Sequence, residues 1–330
     1  MATVLGLHTA VKYEIDKTDS LDSVGFRPEE YDYWLNSAIR EKVKRKFSGS
    51  GVKGEAFEQH QKRIDDLRTL VGTTSISVTR GTEDFDRPNV YKASLPSSYW
   101  FTISEEVQIV YPTATESTGN SNLTAGTWYK VEGGTISHDG TEYSDGDYFE
   151  ATAGNYNIES SSTPSVYECT TKRQGITETT SDYYTFQLSN PYSEYIFYNK
   201  QAKPLRLFTQ DQVILTTDGE YGITHYYLKY LKSPQEVSIN KVTNGNIEEG
   251  VLYDVTKGTV EYNGTDYNPG DTFVGTSETD FTTTSGEVRK TIDLPQMVHD
   301  EIIKEAANMM LENTGNPRYQ THTIEERESE

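Results

Sequence analysis

The alternation of apolar and polar residues divides the chain into helical ends and a strand-rich middle. Tyr31, Trp34, Leu35, Ala38, Ile39, Val43 and Phe47 recur at spacings of three and four, one face of a helix. Pro28 fits the first turn, where its missing N–H is not needed, and Glu29 and Glu30 face the positive end of the helix dipole. Ser48-Gly49-Ser50-Gly51 ends that helix. A second helix is predicted over Glu55–Val71 through Phe57, Ile64, Leu67 and Leu70 or Val71, and a shorter one near Leu7–Lys17. Late in the chain, Pro295 opens a helix over Gln296–Asn313. Its stripe is Val298, Ile302, Ile303, Ala306, Met309 and Met310, and Gly315 and Pro317 stop it. Between these ends, β-branched and aromatic residues mark strands at Ser75–Thr79, Trp100–Thr102, Val107–Tyr111, Val166–Thr170, Leu205–Phe208, Val213–Thr216 and Tyr226–Tyr230.

A repeat interrupts this pattern. Asn122–Phe149 lies over Asn246–Phe273 without a gap, at a shift of 124 residues, and 12 of the 28 positions are identical. Tyr129-x-Val131 and Tyr253-x-Val255 alternate as half-buried strands do. Asp139-Gly140 and Asn263-Gly264 follow, the dipeptides favoured by two-residue hairpin turns with positive φ at both positions. Asp145-Gly146 and Pro269-Gly270 mark a second turn. Each copy is therefore predicted to be a small β-meander, and Ser/Thr/Gly/Asn-rich segments flank both.

These elements predict an α+β fold. A helical bundle from the N- and C-terminal helices and an antiparallel β domain form one discontinuous host body, residues 1–116, 166–241 and 287–330. Two small all-β modules, 117–165 and 242–286, are inserted in it. The modules are expected to be peripheral and dispensable for folding of the host.

Composition narrows the chemistry. Only 34% of residues are hydrophobic, yet 24 Tyr and 11 Phe are too many aromatics for a solvating, disordered chain. A formal charge of −21 repels nucleic acid at long range. Arg40–Lys46 (REKVKRK) is the one candidate for a basic grip, against its plainer reading as a solvated helix face or a subunit contact. Cys169, the single cysteine, allows neither a disulfide nor a Cys-based zinc site. The start of the chain lacks the pattern of a signal peptide, and no window has the apolar length of a membrane helix. The expectation is synthesis in the cytoplasm and no membrane partner.

No catalytic residues, metal ligands or cofactor are expected. His299-Asp300-Glu301-Ile302-Ile303 lacks the second His of a zinc motif. Asp139, Asp145 and Asp147 suggest calcium, but the second copy replaces the first two by Asn263 and Pro269, and the turns already account for them. Trp128, Tyr129 and Tyr143 have the composition of a sugar platform; their counterparts Leu252, Tyr253 and Tyr267 favour a small core.

The host segments resemble a family of phage neck proteins, the ring-forming head-to-tail adaptors of crAss-like short-tailed phages, and more distantly podovirus tail tubular protein A. The resemblance lies in FRPEEYDYWLNSAIREKVKRKF (Phe26–Phe47), FEQHQKRIDDLRTLV (Phe57–Val71), YLKSPQEVSI (Tyr230–Ile239) and DLPQMVHDEIIKEAANMMLENTGNPRYQT (Asp293–Thr321). It implies a virion structural protein that is not an enzyme. It further implies a cyclic homo-oligomer, twelvefold in the family, docked on portal and on other neck or tail rings, with DNA passing through its channel unbound. Trp34, Ile39, Ile64, Leu67, Ile302, Ile303, Met310, Arg318 and Tyr319 are the structural and interface candidates, with Asp139, Gly140, Asn263 and Gly264 as turn residues. The competing expectations are another virion protein, for decoration or fibre attachment, working through its β-modules, and a carbohydrate-binding protein.

Overall fold

The computed structural model describes residues 3–16, 25–48, 65–81, 89–117, 123–152, 156–158, 164–242, 247–276, 282–283 and 286–313. Ile64, Arg318 and Tyr319, with most of the expected second helix and the stop signals Gly49–Gly51 and Gly315–Pro317, lie outside these residues. The fold is α+β. It divides into two units, Met1–Val71 with Ser233–Glu330 and Gly72–Lys232. The host expected as one body is thus two, and each carries one copy of the repeat.

The first unit is built on three helices. Val4–Asp16 buries Val4, Leu7, Val11 and Ile15; Pro28–Ser48 buries Leu35, Ala38, Ile39 and Val43. Gln296–Asn313 packs against both. Its buried face is Val298, Ile302, Ile303, Ala306, Ala307, Met310 and Leu311, so Leu311, not Met309, completes the stripe. The expected second helix is corrected at its end. Arg68–Leu70 is one tight 3₁₀ turn and Val71–Ser77 is a strand, the state its Val-Gly-Thr-Thr-Ser-Ile-Ser sequence favours locally.

The second unit packs two sheets face to face. One has six strands in the order Val71–Ser77, Gly222–Lys232, Tyr99–Ser117, Ser165–Gln174, Trp128–Glu132, Tyr148–Glu150. The other has five, in the order Thr177–Glu178, Leu205–Phe208, Gln212–Thr216, Val90–Ser94, Thr79–Gly81. Val107, Ile109 and Tyr111 from the first sheet meet Tyr91, Ala93, Val213 and Leu215 from the second. A register shift between Ile223 and His225 lets Ile223 and then Tyr226, Leu228 and Tyr230 all face this core, because one extra residue changes the side on which the alternation falls. Trp100–Thr102 and Val107–Tyr111, expected as separate strands, are one long strand, Tyr99–Ser117.

Candidate assembly surfaces and the repeated module

The two copies of the repeat fold alike, atom by atom in places. In each, a Tyr on the first strand sends its hydroxyl back to accept the amide N–H five residues earlier: Thr124 to Tyr129 at 3.0 Å, Glu248 to Tyr253 at 2.9 Å. In each, a Phe lies opposite that Tyr on the next paired strand, Phe149 and Phe273, and a third ring covers it, Tyr143 at 4.8 Å and Tyr267 at 5.1 Å between centroids. Tyr129 and Tyr253 are buried in these small cores. Tyr129 is therefore not available as an open platform, and Tyr143 is half-buried as the ring that covers the same core.

The turn residues do what their chemistry predicts. Asp139 and Gly140 have φ of 50° and 77°, and Asn263 and Gly264 of 49° and 73°, the left-handed values a type I′ turn demands. Asp139 also accepts from the Thr152 hydroxyl, and Asn263 donates to the equivalent Thr276. Asp147 Oδ2 caps its own turn through Ser144 N at 2.8 Å, as Asp271 Oδ2 does through Asn268 N at 2.8 Å. Asp145 Oδ1 accepts from Gly133 N at 2.8 Å. The three carboxylates are thus engaged at three separate places, and among the described residues no group of three His, Cys, Asp or Glu is placed to hold a metal.

The copies are not appendages, as their flanking sequence suggested. Strand Ser165–Gln174 pairs on one side with Trp128–Glu132 of the first copy and on the other with Tyr99–Ser117, so one sheet runs through both. The second copy is closed by Glu287–Lys290, beyond its expected boundary. It is tied to the helical unit where Gln235 exchanges two hydrogen bonds of 2.7 Å with the backbone of Leu252. Its buried Asp254 accepts from the buried Val4 N, in the first turn of the first helix where backbone N–H groups have no partner within the helix, at 3.4 Å.

In the helical unit, the segment 236–239 lies along the Pro28–Ser48 helix. Asn36 exchanges hydrogen bonds of 2.9 and 2.8 Å with Val237, Asp32 accepts from Ile239 N at 2.8 Å, and Arg40 pairs with Glu236. The basic run is turned largely inward. Lys42 reaches Glu301 at 3.5 Å, Arg45 reaches Glu305 at 3.1 Å, and Lys46 bridges Asp66 at 2.5 Å and Glu301 at 2.8 Å. Of the interface candidates, Ile39, Leu67, Ile302, Ile303 and Met310 are buried within this unit, and Trp34 is half-buried with its ring edge-on to Tyr33.

No protein-family model matches the chain, and no curated protein matches it.

Sequence reasoning missed the exposed apolar residues, because a single Tyr or Leu off the main stripe carries no periodic signal. On the helical unit these are Leu5, Tyr13, Tyr33, Val274 and Met297. On the second unit, the unpredicted helix Ser181–Ser189 and the turns after it expose Tyr183, Phe186, Tyr192 and Tyr198.

Two groups of a kind that can carry chemistry, Cys169 and Glu105, lie in the core of the second unit. Burial pushes the Cys169 thiol up to about 12, so it stays protonated at neutral pH. Burial also raises Glu105, against the Tyr226 hydroxyl that donates to it at 2.7 Å and Arg206 at 3.2 Å. That carboxylate is a tie between sheets. No helix among the described residues is long and apolar enough to cross a membrane.

Proposed function

We propose that the protein is a virion structural component, a head-to-tail adaptor that forms a cyclic homo-oligomer beneath the portal and extends the DNA exit channel. The observation that carries this reading is the meeting of the segments that resemble phage neck proteins. Residues from Phe26–Phe47, Phe57–Val71, Tyr230–Ile239 and Asp293–Thr321 contribute the Asn36–Val237, Asp32–Ile239, Arg45–Glu305 and Lys46–Asp66 contacts of one helical unit. These bonds span up to 260 residues of sequence. Segments that act as one body are the natural carriers of a shared assembly role.

Two further observations support it. The main basic run is paired with the chain's own acids, so a chain of formal net charge −21 lets DNA pass without the counterion release that drives binding. The exposed Leu5, Tyr13, Tyr33 and Met297 give the helical unit apolar surface of the kind a neighbouring copy covers, and a head-to-tail contact that closes on rotation makes a ring.

The test is mass photometry and negative-stain microscopy of the purified chain, alone and mixed with the portal protein of the same virus. A closed ring, free or on portal, is the expected result. A monomer under both conditions at micromolar concentration rules the reading out.

A further inference from the structure

The first module meets its neighbouring strands along a seam that encloses a cleft of about 510 Å³, within the roughly 300–1,000 Å³ typical of small-molecule pockets. Arg80, Asn89 and Tyr91 supply one side and Lys130, Glu132, Asp145 and Tyr148 the other. Glycines let the sides approach. A Cβ on Gly222 would sit 2.6 Å from the Tyr148 ring, and one on Gly219 would sit 2.7 Å from the Asn89 amide nitrogen. Arg80 spans the seam, donating to Asp147 Oδ1 at 2.8 Å and to the Asp145 carbonyl at 3.2 Å. The Lys130 ammonium lies 2.9 Å from Glu132 and 5.9 Å from the centre of the Tyr148 ring.

The lining selects by its balance. Lys130 is paired with Glu132 and Arg80 with Asp147, and Asp145 accepts from Gly133 N, so the charges of the lining are engaged with one another and hold out no cation to an anion; nor do they form a group of three metal-ligating side chains among the described residues. Donors and acceptors alternate with two tyrosine rings, which disfavours a purely apolar ligand. Tyr148 contributes its ring and not its hydroxyl to the lining, since the hydroxyl is closed off from solvent. A neutral molecule rich in hydroxyls, each able to donate and accept, matches such a lining.

The second copy supplies an internal comparison. Lys130, Glu132, Asp145 and Tyr148 correspond to Asp254, Thr256, Pro269 and Thr272, whereas the core residues Tyr129, Val131 and Phe149 recur as Tyr253, Val255 and Phe273. The copies agree where the module holds itself together and differ where the cleft is lined. We propose that this cleft, and not the aromatic residues of the module core, binds a neutral saccharide.

Saturation-transfer NMR on the full chain tests this, using glucose, galactose, mannose, N-acetylglucosamine, maltose and lactose, with inorganic phosphate as the charged comparison. At least one sugar should bind saturably. Glu132→Gln, on the open rim, should weaken it by roughly fivefold, the worth of one hydrogen bond, without moving the melting temperature. Lys130→Met should weaken it similarly, and Thr256→Ala in the second copy should leave it unchanged. The proposal fails if no sugar on the panel binds, if only phosphate binds, or if sugar binding survives both cleft variants.

Discussion

His299 illustrates how a residue that looks functional in sequence serves the fold. It is 3% exposed, its Nε2–H donates to the Leu294 carbonyl at 3.0 Å, and Nδ1 has no partner. Burial holds its pKa below the ordinary histidine range. The folded state therefore resists a proton that the unfolded chain accepts near pH 6.5. The stability this gives is complete above that pH and is lost as pH falls towards the depressed folded value, at no more than about 1.4 kcal/mol per pH unit. Urea titrations across this window should show the loss in the parent. His299→Gln, which keeps a donor for Leu294 but does not titrate, should show a flatter dependence; equal slopes would mean that His299 does not contribute it.

At the scale of elements, stability of the helical unit rests on the face that Gln296–Asn313 turns towards its two neighbours. Ile302 is fully buried there and Ile303 nearly so. Ile302→Ala should cost about 2–5 kcal/mol, the transfer energy of the lost carbons plus the cavity they leave. Ile303→Asp should also destabilise strongly, because it buries an unpaired charge. Denaturant melts of both variants measure this, and a parent-like midpoint for Ile302→Ala would show the stripe is not a core. The helix boundaries at Pro28 and Gln296 were legible because capping chemistry and 3.6-residue periodicity agree there. The strand Val90–Ser94 and the helix Ser181–Ser189 were not. Val-Tyr-Lys-Ala-Ser is too short for a period, and Ser-Asp-Tyr-Tyr-Thr-Phe-Gln-Leu-Ser buries only Tyr184, so it has no stripe to read.

At the scale of the whole molecule, the modules bear on stability. Replacing 119–163 by a short Gly/Ser linker removes Trp128–Glu132 and Tyr148–Glu150 from the six-stranded sheet, bares the edge of Ser165–Gln174 and takes Asp147 from Arg80. An uncovered edge strand also invites aggregation. Replacing 244–285 removes the Leu252 partners of Gln235 and the Asp254 acceptor at Val4. Each excision should lower the melting temperature by several degrees relative to the full chain, since losses of a few kcal/mol shift Tm on that scale. Unchanged melting would return the modules to the status of appendages.

Local chemistry alone determined the three described long helices, most of the strands and the repeat with its turns. Each of those follows from residues within a few positions of one another: Asn263-Gly264 takes positive φ wherever a tight hairpin needs it. Tertiary structure decided what the repeat is attached to. Val166 and Val288 close the two modules by equivalent pairings with Val131 and Val255, yet only the strand carrying Val166 continues into a larger sheet. It also decided the fate of the basic run, since Lys46 finds Asp66 and Glu301 across 20 and 255 residues of chain. Charge pairing and strand pairing over such distances depend on which surfaces meet, and no local pattern encodes that.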